Sequence, residues 1–535
     1  MMIFREQTKL GIPLHPINAA VMPVLLYYNT QAASEMPPDE LVRPVLVSLV
    51  ASLLVYSINC LVFFAFIGKG NLQRAVSLGA LSTSSLFSIF YSLTYCVILD
   101  GLFKVSGSSV SVMATAPSWL PIFWIMAILL VVIAILKPVL LLKLESSFSA
   151  VLMVLILTQI GVLALNCFNY NSICQSVEQL QVKEIDLLKA KKSDVKPDVF
   201  YIILDQLAGR DGLKEYLQYD DDWFYTELEK RGFYLAKKSL SNYPITRLSL
   251  ASSLNMSYLD KYQSAAGSDK KNWTMMNKLA RDNQTARLFK KQGYHYVLVD
   301  SGFAASNNSN IADEIQSGTF SDFFSERILR STIVSLLPGA EEAIMSFARK
   351  RILDQFEYLQ MMEKSDTPKF VFTHILSPHE PYLFGANGEP VYFPGGRCGH
   401  HWTTETRNAY LAQVEFIQKK TLATIDIMLA KNPDAVFVLQ GDHGTHCSDY
   451  VSEHSPSDNL LNERYSILNA YKVPSIIQAR LTNDMEPVNS FVVILNGLFG
   501  YGIEPSPDKQ IYSSYDEPFL FKDVSERVIR RREKD

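Results

Sequence analysis

The residues best suited to do chemistry in this chain sit at the ends of apolar runs. The most specific stretch is "AVFVLQGDHGTH", Ala435–His446. An apolar run that stops at Asp442-His443-Gly444 sets a carboxylate and an imidazole side by side at an open strand end. Both are ligands for a divalent cation such as zinc or manganese. Gly444 is expected to let the backbone turn sharply there. A second run, "VFYIIL", closes on Asp205 in the same way, and this acid supplies the second oxygen that an Asp-His pair lacks. A strand-end turn and a helix cap are the plainer readings of each motif alone. Their coincidence at strand ends favours a metal.

The third stretch is "SNYPITRLSLASSLN", Ser241–Asn255. The residue before a proline avoids the helical region, so Asn242-Tyr243-Pro244 reads as a turn and Thr246 as the start of a helix. Leu248, Leu250, Ala251 and Leu254 form its buried side, and Ser249, Ser252 and Ser253 read as small packing residues. The first turn of a helix offers free N–H groups and a positive dipole end, a ready phosphate site. A hydroxyl at that point is either a cap or a metal-activated nucleophile. Two histidines extend the set. They are His379 in "SPHEPY" and His446 in "GDHGTH", each just past the end of an expected strand. His374, inside a strand, fits a structural role equally well. The stretch "NERYSILNAYKVP" puts Arg464 and Asn469 on a strand near the site, where they could face a substrate. The loop Arg397–Tyr410 is open to two readings, an acceptor pocket or a solvated lead into a helix.

These residues need a scaffold. Strands are expected over Val199–Leu204, Tyr294–Asp300, Lys369–Leu376, Ala435–Asp442 and Tyr465–Val473, with helical patterns between them. One helix ends at Gly232, another at Gly293, and a long one spans Glu405–Ala430. Strands that alternate with helices predict a mostly parallel sheet covered on both faces, an α/β sandwich. In such sheets ligands bind beyond the carboxyl ends of the strands, where Asp205, His374, His379, Asp442, His443 and His446 gather.

The first third differs in kind. From Pro44 to Cys167 the only charged residues are Lys69, Arg74, Asp100, Lys104, Lys137, Lys143 and Glu145. Membrane spans are expected over Val45–Ile67, Val76–Leu99, Trp119–Leu136 and Phe148–Cys167, with a shorter fifth near Ile17–Tyr28. Arg5, Lys9, Lys69, Arg74, Lys137 and Lys143 then share one side, and the opposite loops hold Arg43, Lys104 and several acids. That places the N-terminus in the cytoplasm and, with five crossings, the rest of the chain outside. The expected organisation is a transmembrane α-helical bundle over 1–168, a polar linker over 169–196 and a catalytic domain over 197–535. Cys398 and Cys447 fall in the exported part, where a disulfide and two separate thiols are both compatible with the sequence. The net charge of −4 gives no reason to expect a nucleic acid partner.

Together the three motifs resemble the alkaline phosphatase/sulfatase superfamily. They look most like its membrane branch, which includes lipoteichoic acid synthase, phosphoglycerol transferases and lipid A phosphoethanolamine transferases. The resemblance implies Thr246 as nucleophile, with Asp205, Thr246, Asp442 and His443 holding one divalent ion (zinc, manganese or magnesium). It implies that His379 contacts the substrate phosphate, and His446 and Arg464 are placed with it as substrate-binding residues. In sulfatases a Cys or Ser becomes formylglycine and an Arg follows it; here those positions hold Thr246 and Leu250. Asp205 is followed by Gln206 and not by a second acid. These departures point away from sulfate esters and from a two-metal site. The expected activity is transfer of a phospholipid headgroup phosphate, phosphoglycerol or phosphoethanolamine, to an extracytoplasmic glycan or lipid acceptor. Expected localisation is the inner (cytoplasmic) membrane, with the catalytic domain in the periplasm or outside the cell. A hydrolase that uses water as acceptor, and a non-catalytic membrane protein that retains the fold, are the competing readings.

Overall fold

The computed structural model describes residues 14–67, 72–95, 97–98, 138–187, 190, 196–265, 272–317, 322–393, 402–447, 456–515 and 517–528. The chain divides into two compact units. One comprises Met1–Asn171 with Asp322–Glu341, and the other Ser172–Ser321 with Glu342–Asp535.

In the first unit, among the described residues, two helices are long and apolar enough to cross a membrane, Pro38–Ile67 and Ala150–Glu184. The first contains the span expected at Val45–Ile67, and the second covers all but the first two residues of the one expected at Phe148–Cys167. The span expected at Val76–Leu99 overlaps a shorter apolar helix, Ala75–Phe90. The one near Ile17–Tyr28 is a 13-residue helix, His15–Tyr27, with Pro23 inside it and a π-helical turn after it. Trp119–Leu136 lies outside the described residues. A single helix, Pro138–Leu187, runs on through most of the stretch expected to be a linker.

The second unit is built on a sheet of β1 (Val199–Leu204), β2 (Tyr234–Leu235), β3 (His295–Val299), β4 (Glu314–Gln316), β5 (Lys369–Ile375), β6 (Val436–Gly441) and β7 (Asn469–Lys472). The order is β2-β7-β6-β1-β5-β3-β4. Neighbours from β6 to β4 are parallel, and β7 and β2 join antiparallel at one edge. β1 is buried at every position, as a central parallel strand must be. Its aromatic side chains stack across the sheet, Phe200 on Phe437 at 5.2 Å and Tyr201 on Phe372 at 5.5 Å. Tyr201 and Ile203 share a core with Leu250, Leu254, Phe289 and Phe491. Full burial of one such aromatic or aliphatic side chain contributes about 1.5–3 kcal/mol. The strands carrying the site residues are therefore firmly anchored in the core.

The Thr246–Asn255 helix is buried all round. Leu250 and Leu254 face the sheet core, while Leu248 and Ala251 pack into a second cluster with Trp273, Met276 and Leu279. The one-sided burial expected of it is thus exceeded. Arg464 departs further from expectation. It lies on a helix, Asp458–Tyr465, and the strand after it is confined to Asn469–Lys472. Ser457 caps that helix through its side chain to the Leu460 N–H, a start signal that outranks the β-rich run behind it. Asn469 holds Ser239 and the Met485 carbonyl and faces no open site.

Candidate metal centre

Sheet register brings the acids together. Leu204 pairs with Gly441 on one side and with Ile375 on the other. The next residues, Asp205 and Asp442, therefore leave adjacent parallel strands at the same level. Ligand atoms of Asp205, Asp442 and His443 all lie within 4.8 Å of one another, and the three residues are buried. His443 Nε2 stands 3.2 Å from Asp442 Oδ2 and 3.9 Å from Asp205 Oδ1. His374 Nε2 adds a fourth group, 3.3 Å from Asp205 Oδ2. Its other nitrogen is held by Ser306 Oγ at 2.8 Å, which fixes the ring.

Three atoms here have no hydrogen bond of good geometry although they are buried: Asp205 Oδ1, Asp442 Oδ2 and His374 Nε2. Leaving buried charged oxygens unpaired is costly. A divalent cation among them would remove that cost, and two carboxylates with imidazole form a suitable donor set.

The electrostatics agree. Burial and the neighbouring Asp205 carboxylate push the Asp442 carboxyl up to about 6. Burial also works against ionisation of Asp205, but His379, His374 and His443 around it hold its carboxyl below the usual range. Burial and the Arg464 guanidinium drive His443 well below the ordinary histidine range. A neutral imidazole is the form that binds metal. His443 Nδ1 lies 3.0 Å from the Gly444 carbonyl, which can only accept, so Nδ1 carries the proton and Nε2 keeps its lone pair.

Thr246 is the first residue of its helix, and its Oγ1 is 3.0 Å from that same Nε2. The backbone before it turns at Pro244, whose carbonyl receives Arg464 Nε at 2.6 Å. The Arg464 guanidinium also donates to the Gly444 carbonyl at 2.8 Å and reaches His443 Nε2 at 3.1 Å and His446 Nδ1 at 3.4 Å. One buried side chain thus ties the turn that presents Thr246 to the loop that presents Asp442 and His443. Ser249 does the same from the helix, donating to the Asp442 carbonyl at 2.8 Å. It fastens the helix to the loop as well as packing beside it.

Gln206 is the residue that sequence reasoning missed. Its backbone takes a positive φ of 65°, rare for a residue with a Cβ and costing about 1–3 kcal/mol. Its N–H donates to Asp442 Oδ1 at 2.9 Å, its side chain meets His446 Nδ1 at 2.9 Å, and its carbonyl accepts from Tyr410 at 2.8 Å. It stands where a second acid was looked for and connects the two halves of the site. No feature of "LDQL" announces this.

His379 and His446 flank the centre. Burial pushes His379 down, but the Glu380 and Asp205 carboxylates outweigh it and carry its pKa up to about 9. Burial takes His446 the other way, to about 4. The site therefore pairs a cationic imidazole with a neutral one. Trp402 packs edge-on against His446 at 5.7 Å, so the end of the Arg397–Tyr410 stretch does reach this region. Cys398 lies outside the described residues.

Gly444 also has a different reason from the one expected. Its φ is not in the left-handed region. An added Cβ would fall well inside contact distance of the Glu463 carbonyl oxygen and 2.7 Å from that of Ser466. The glycine permits close approach of the loop to the Asp458–Tyr465 helix, sealed by Gly444 N–H to the Arg464 carbonyl at 2.7 Å.

Comparison with known proteins bears on this arrangement. No curated protein matches the sequence. Among solved structures, the chain is similar to the C-terminal periplasmic domain of EcEptC from Escherichia coli in complex with Zn. The two are 14% identical, with 63% of this chain and 94% of that chain covered and a TM-score of 0.42. It is similar to the C-terminal periplasmic domain of phosphoethanolamine transferase EptC from Campylobacter jejuni at 13% identity, 62% and 95% coverage and a TM-score of 0.35. It is similar to a putative sulfatase from Bacteroides thetaiotaomicron at 14% identity, 58% and 72% coverage and a TM-score of 0.39. At these scores the likeness carries no argument about substrate or metal. The family model described as Sulfatase matches residues 197–478, more than half of the 535-residue chain, and spans Asp205, Thr246, Asp442 and His443. The chain belongs to the sulfatase family.

Proposed function

We propose that this protein transfers the headgroup phosphate of a membrane phospholipid to an acceptor hydroxyl through a phosphothreonine at Thr246. The observation that supports this most is the Thr246 hydroxyl at a helix start, 3.0 Å from His443 Nε2 and beside two carboxylates with unpaired buried oxygens. Threonine is a competent nucleophile for phosphorus and cannot become formylglycine, which argues for phosphate over sulfate esters. The metal ligands are Asp205, Asp442, His443 and Thr246, and a divalent ion bound by them would lower the pKa of the hydroxyl and stabilise charge on a phosphate oxygen.

In the first step Thr246 Oγ1 attacks the phosphorus and loses its proton. The bond from phosphorus to the diacylglycerol oxygen breaks, and that oxygen takes up a proton. In the second step an acceptor hydroxyl, of a glycan or a lipid, attacks the same phosphorus. The bond to Thr246 Oγ1 breaks and the threonine regains its proton. His379, cationic near neutral pH, faces the phosphate charge, and His446 and Arg464 complete the surround. Phosphoglycerol and phosphoethanolamine are the donor headgroups considered. The catalytic unit works on the outer side of the cytoplasmic membrane, which keeps it beside a donor that does not leave the bilayer.

The test is the full-length protein in vesicles of headgroup-labelled phospholipid, read for diacylglycerol and for label on an added glycan. Label on the glycan supports transfer. Free labelled headgroup at full rate without any acceptor assigns hydrolysis instead. No diacylglycerol from metal-loaded protein refutes both.

A further inference from the structure

The segment Asp322–Glu341 lies in sequence between β4 and β5 but belongs to the first unit, with the membrane helices. The chain therefore passes between the units three times. Within the first unit the segment is tied at several points. Phe324 packs against Tyr27 and Tyr28 at 6.1 and 5.8 Å. Asp322 pairs with Arg43 at 3.5 Å and Arg327 with Glu35 at 3.1 Å. Thr94 donates to the Ser331 carbonyl at 2.9 Å.

Those contacts give the segment a depth. Pairs between the Val42–Ile67 and Leu72–Phe90 helices set their antiparallel register: Asn59 meets Thr83 and Ser48 meets Tyr91. Thr94, almost one turn beyond Tyr91, comes level with the first turn of the Val42–Ile67 helix. That is the end marked by Glu35, Asp39 and Arg43, where charge gives way to the apolar span. With the Val42–Ile67 helix read as a membrane span, Ser331 falls at the level where that span begins. Directly after it comes a short 3-10 turn, Ile333–Leu336, capped by Thr332. The backbone is internally bonded through this turn, Ser335 to Thr332, Leu337 to Val334 and Ala340 to Leu337. Such internal bonding leaves fewer backbone groups in need of water where the chain meets the hydrocarbon core. Leu336 and Leu337 are each 60% exposed at its tip. The Arg330–Glu341 ion pair closes the base.

We infer that Ile333–Leu337 is a membrane-surface anchor whose leucines enter the outer interface of the lipid bilayer. The occupant is lipid, because the exposed leucines follow directly on Ser331, which Thr94 ties level with the start of the Val42–Ile67 helix, where Leu46, Val47 and Val50 are also exposed. The inference does not depend on the chemistry at Thr246.

The experiment uses full-length protein in phosphatidylethanolamine/phosphatidylglycerol vesicles that contain a phospholipid with a diazirine on its acyl chain. After irradiation and digestion, lipid adducts are counted by peptide. The Leu336/Leu337 peptide is expected to match the Leu46/Val50 peptide and to exceed the peptide of half-exposed Trp223 about tenfold. The double variant L336D/L337D should lose its own adducts and keep those on Leu46/Val50. Labelling of the wild-type Leu336/Leu337 peptide at the Trp223 level overturns the inference. Wild-type labelling decides the matter even if the variant does not fold.

Discussion

Gly444→Ala tests how tightly the loop that carries Asp442 and His443 is held. The new Cβ would lie 2.7 Å from the Ser466 carbonyl oxygen and closer still to that of Glu463. Both are backbone atoms at the end of a buried helix, so neither can swing aside. The loop must retreat by about 1 Å, an overpacking cost of about 1–3 kcal/mol. Retreat also stretches the bond from Gly444 N–H to the Arg464 carbonyl and the bond from the Arg464 guanidinium to the Gly444 carbonyl. Buried partners left unmade cost about 1–3 kcal/mol each. The sum is about 3–9 kcal/mol, a fall in Tm of roughly 6–18 °C. Because Asp442 and His443 directly precede the glycine, bound metal should fall with it. Thermal melting in detergent and metal content by mass spectrometry read both effects. Gly161→Ala is the control, since nothing lies within 4 Å of its added Cβ. If Gly444→Ala melts within about 1 °C of wild type and keeps its full metal content, the close-approach reasoning is wrong.

Removing metal with a chelator should lower Tm, and metal at a hundredfold excess over Kd should restore about 2.7 kcal/mol. Asp205→Asn should abolish that response; a metal-dependent rise that survives in this variant would exclude Asp205 as a ligand. Arg464→Lys should not rescue Arg464→Met, because a single ammonium cannot serve the Pro244 and Gly444 carbonyls and His443 together; equal melting and turnover of Arg464→Lys and wild type would discount the clamp. Asp221 is buried, which raises its carboxyl to about 7, while Gln418 donates to it at 2.7 Å. The folded state keeps this proton between about pH 4 and 7 after the unfolded chain has lost it, so stability is full below that window and falls as pH rises through it. Asp221→Asn should therefore gain on the order of 1–4 kcal/mol at pH 8 and little at pH 4; a Tm difference that is the same at both pH values would refute this.

Asp205, Thr246 and the Asp442-His443 pair were legible because each sits where an element begins or ends, and strand and helix ends are marked by local sequence. Val199–Leu204 and Val436–Gly441 are apolar on both faces, which signals a central parallel strand without any partner in view. The clamp was not legible. Arg464 was read onto a strand because the β-rich run after it is longer than the four residues that pair, and a helix capped at Ser457 claims the arginine. Gln206 acts through a backbone twist and three partners distant in sequence, and Ser249 through a carbonyl 193 positions away. Such roles exist only once the sheet has set Asp205 beside Asp442. In the first unit, hydropathy located the Val42–Ile67 helix but carried no hint that Asp322–Glu341 would join that unit, because the contacts are made by isolated charges, one phenylalanine and one threonine.

The central claim is that Thr246 carries phosphate during turnover. Full-length protein loaded with a divalent metal should be incubated with phospholipid vesicles without acceptor, quenched in acid, digested and analysed by mass spectrometry. The account predicts a peptide in which Thr246 carries the donor phosphate still esterified to its headgroup alcohol, formed together with diacylglycerol and lost when a hydroxylated acceptor is added. Diacylglycerol produced at the same rate by Thr246→Ala, or by wild type with Thr246 unmodified at every time point, would contradict it.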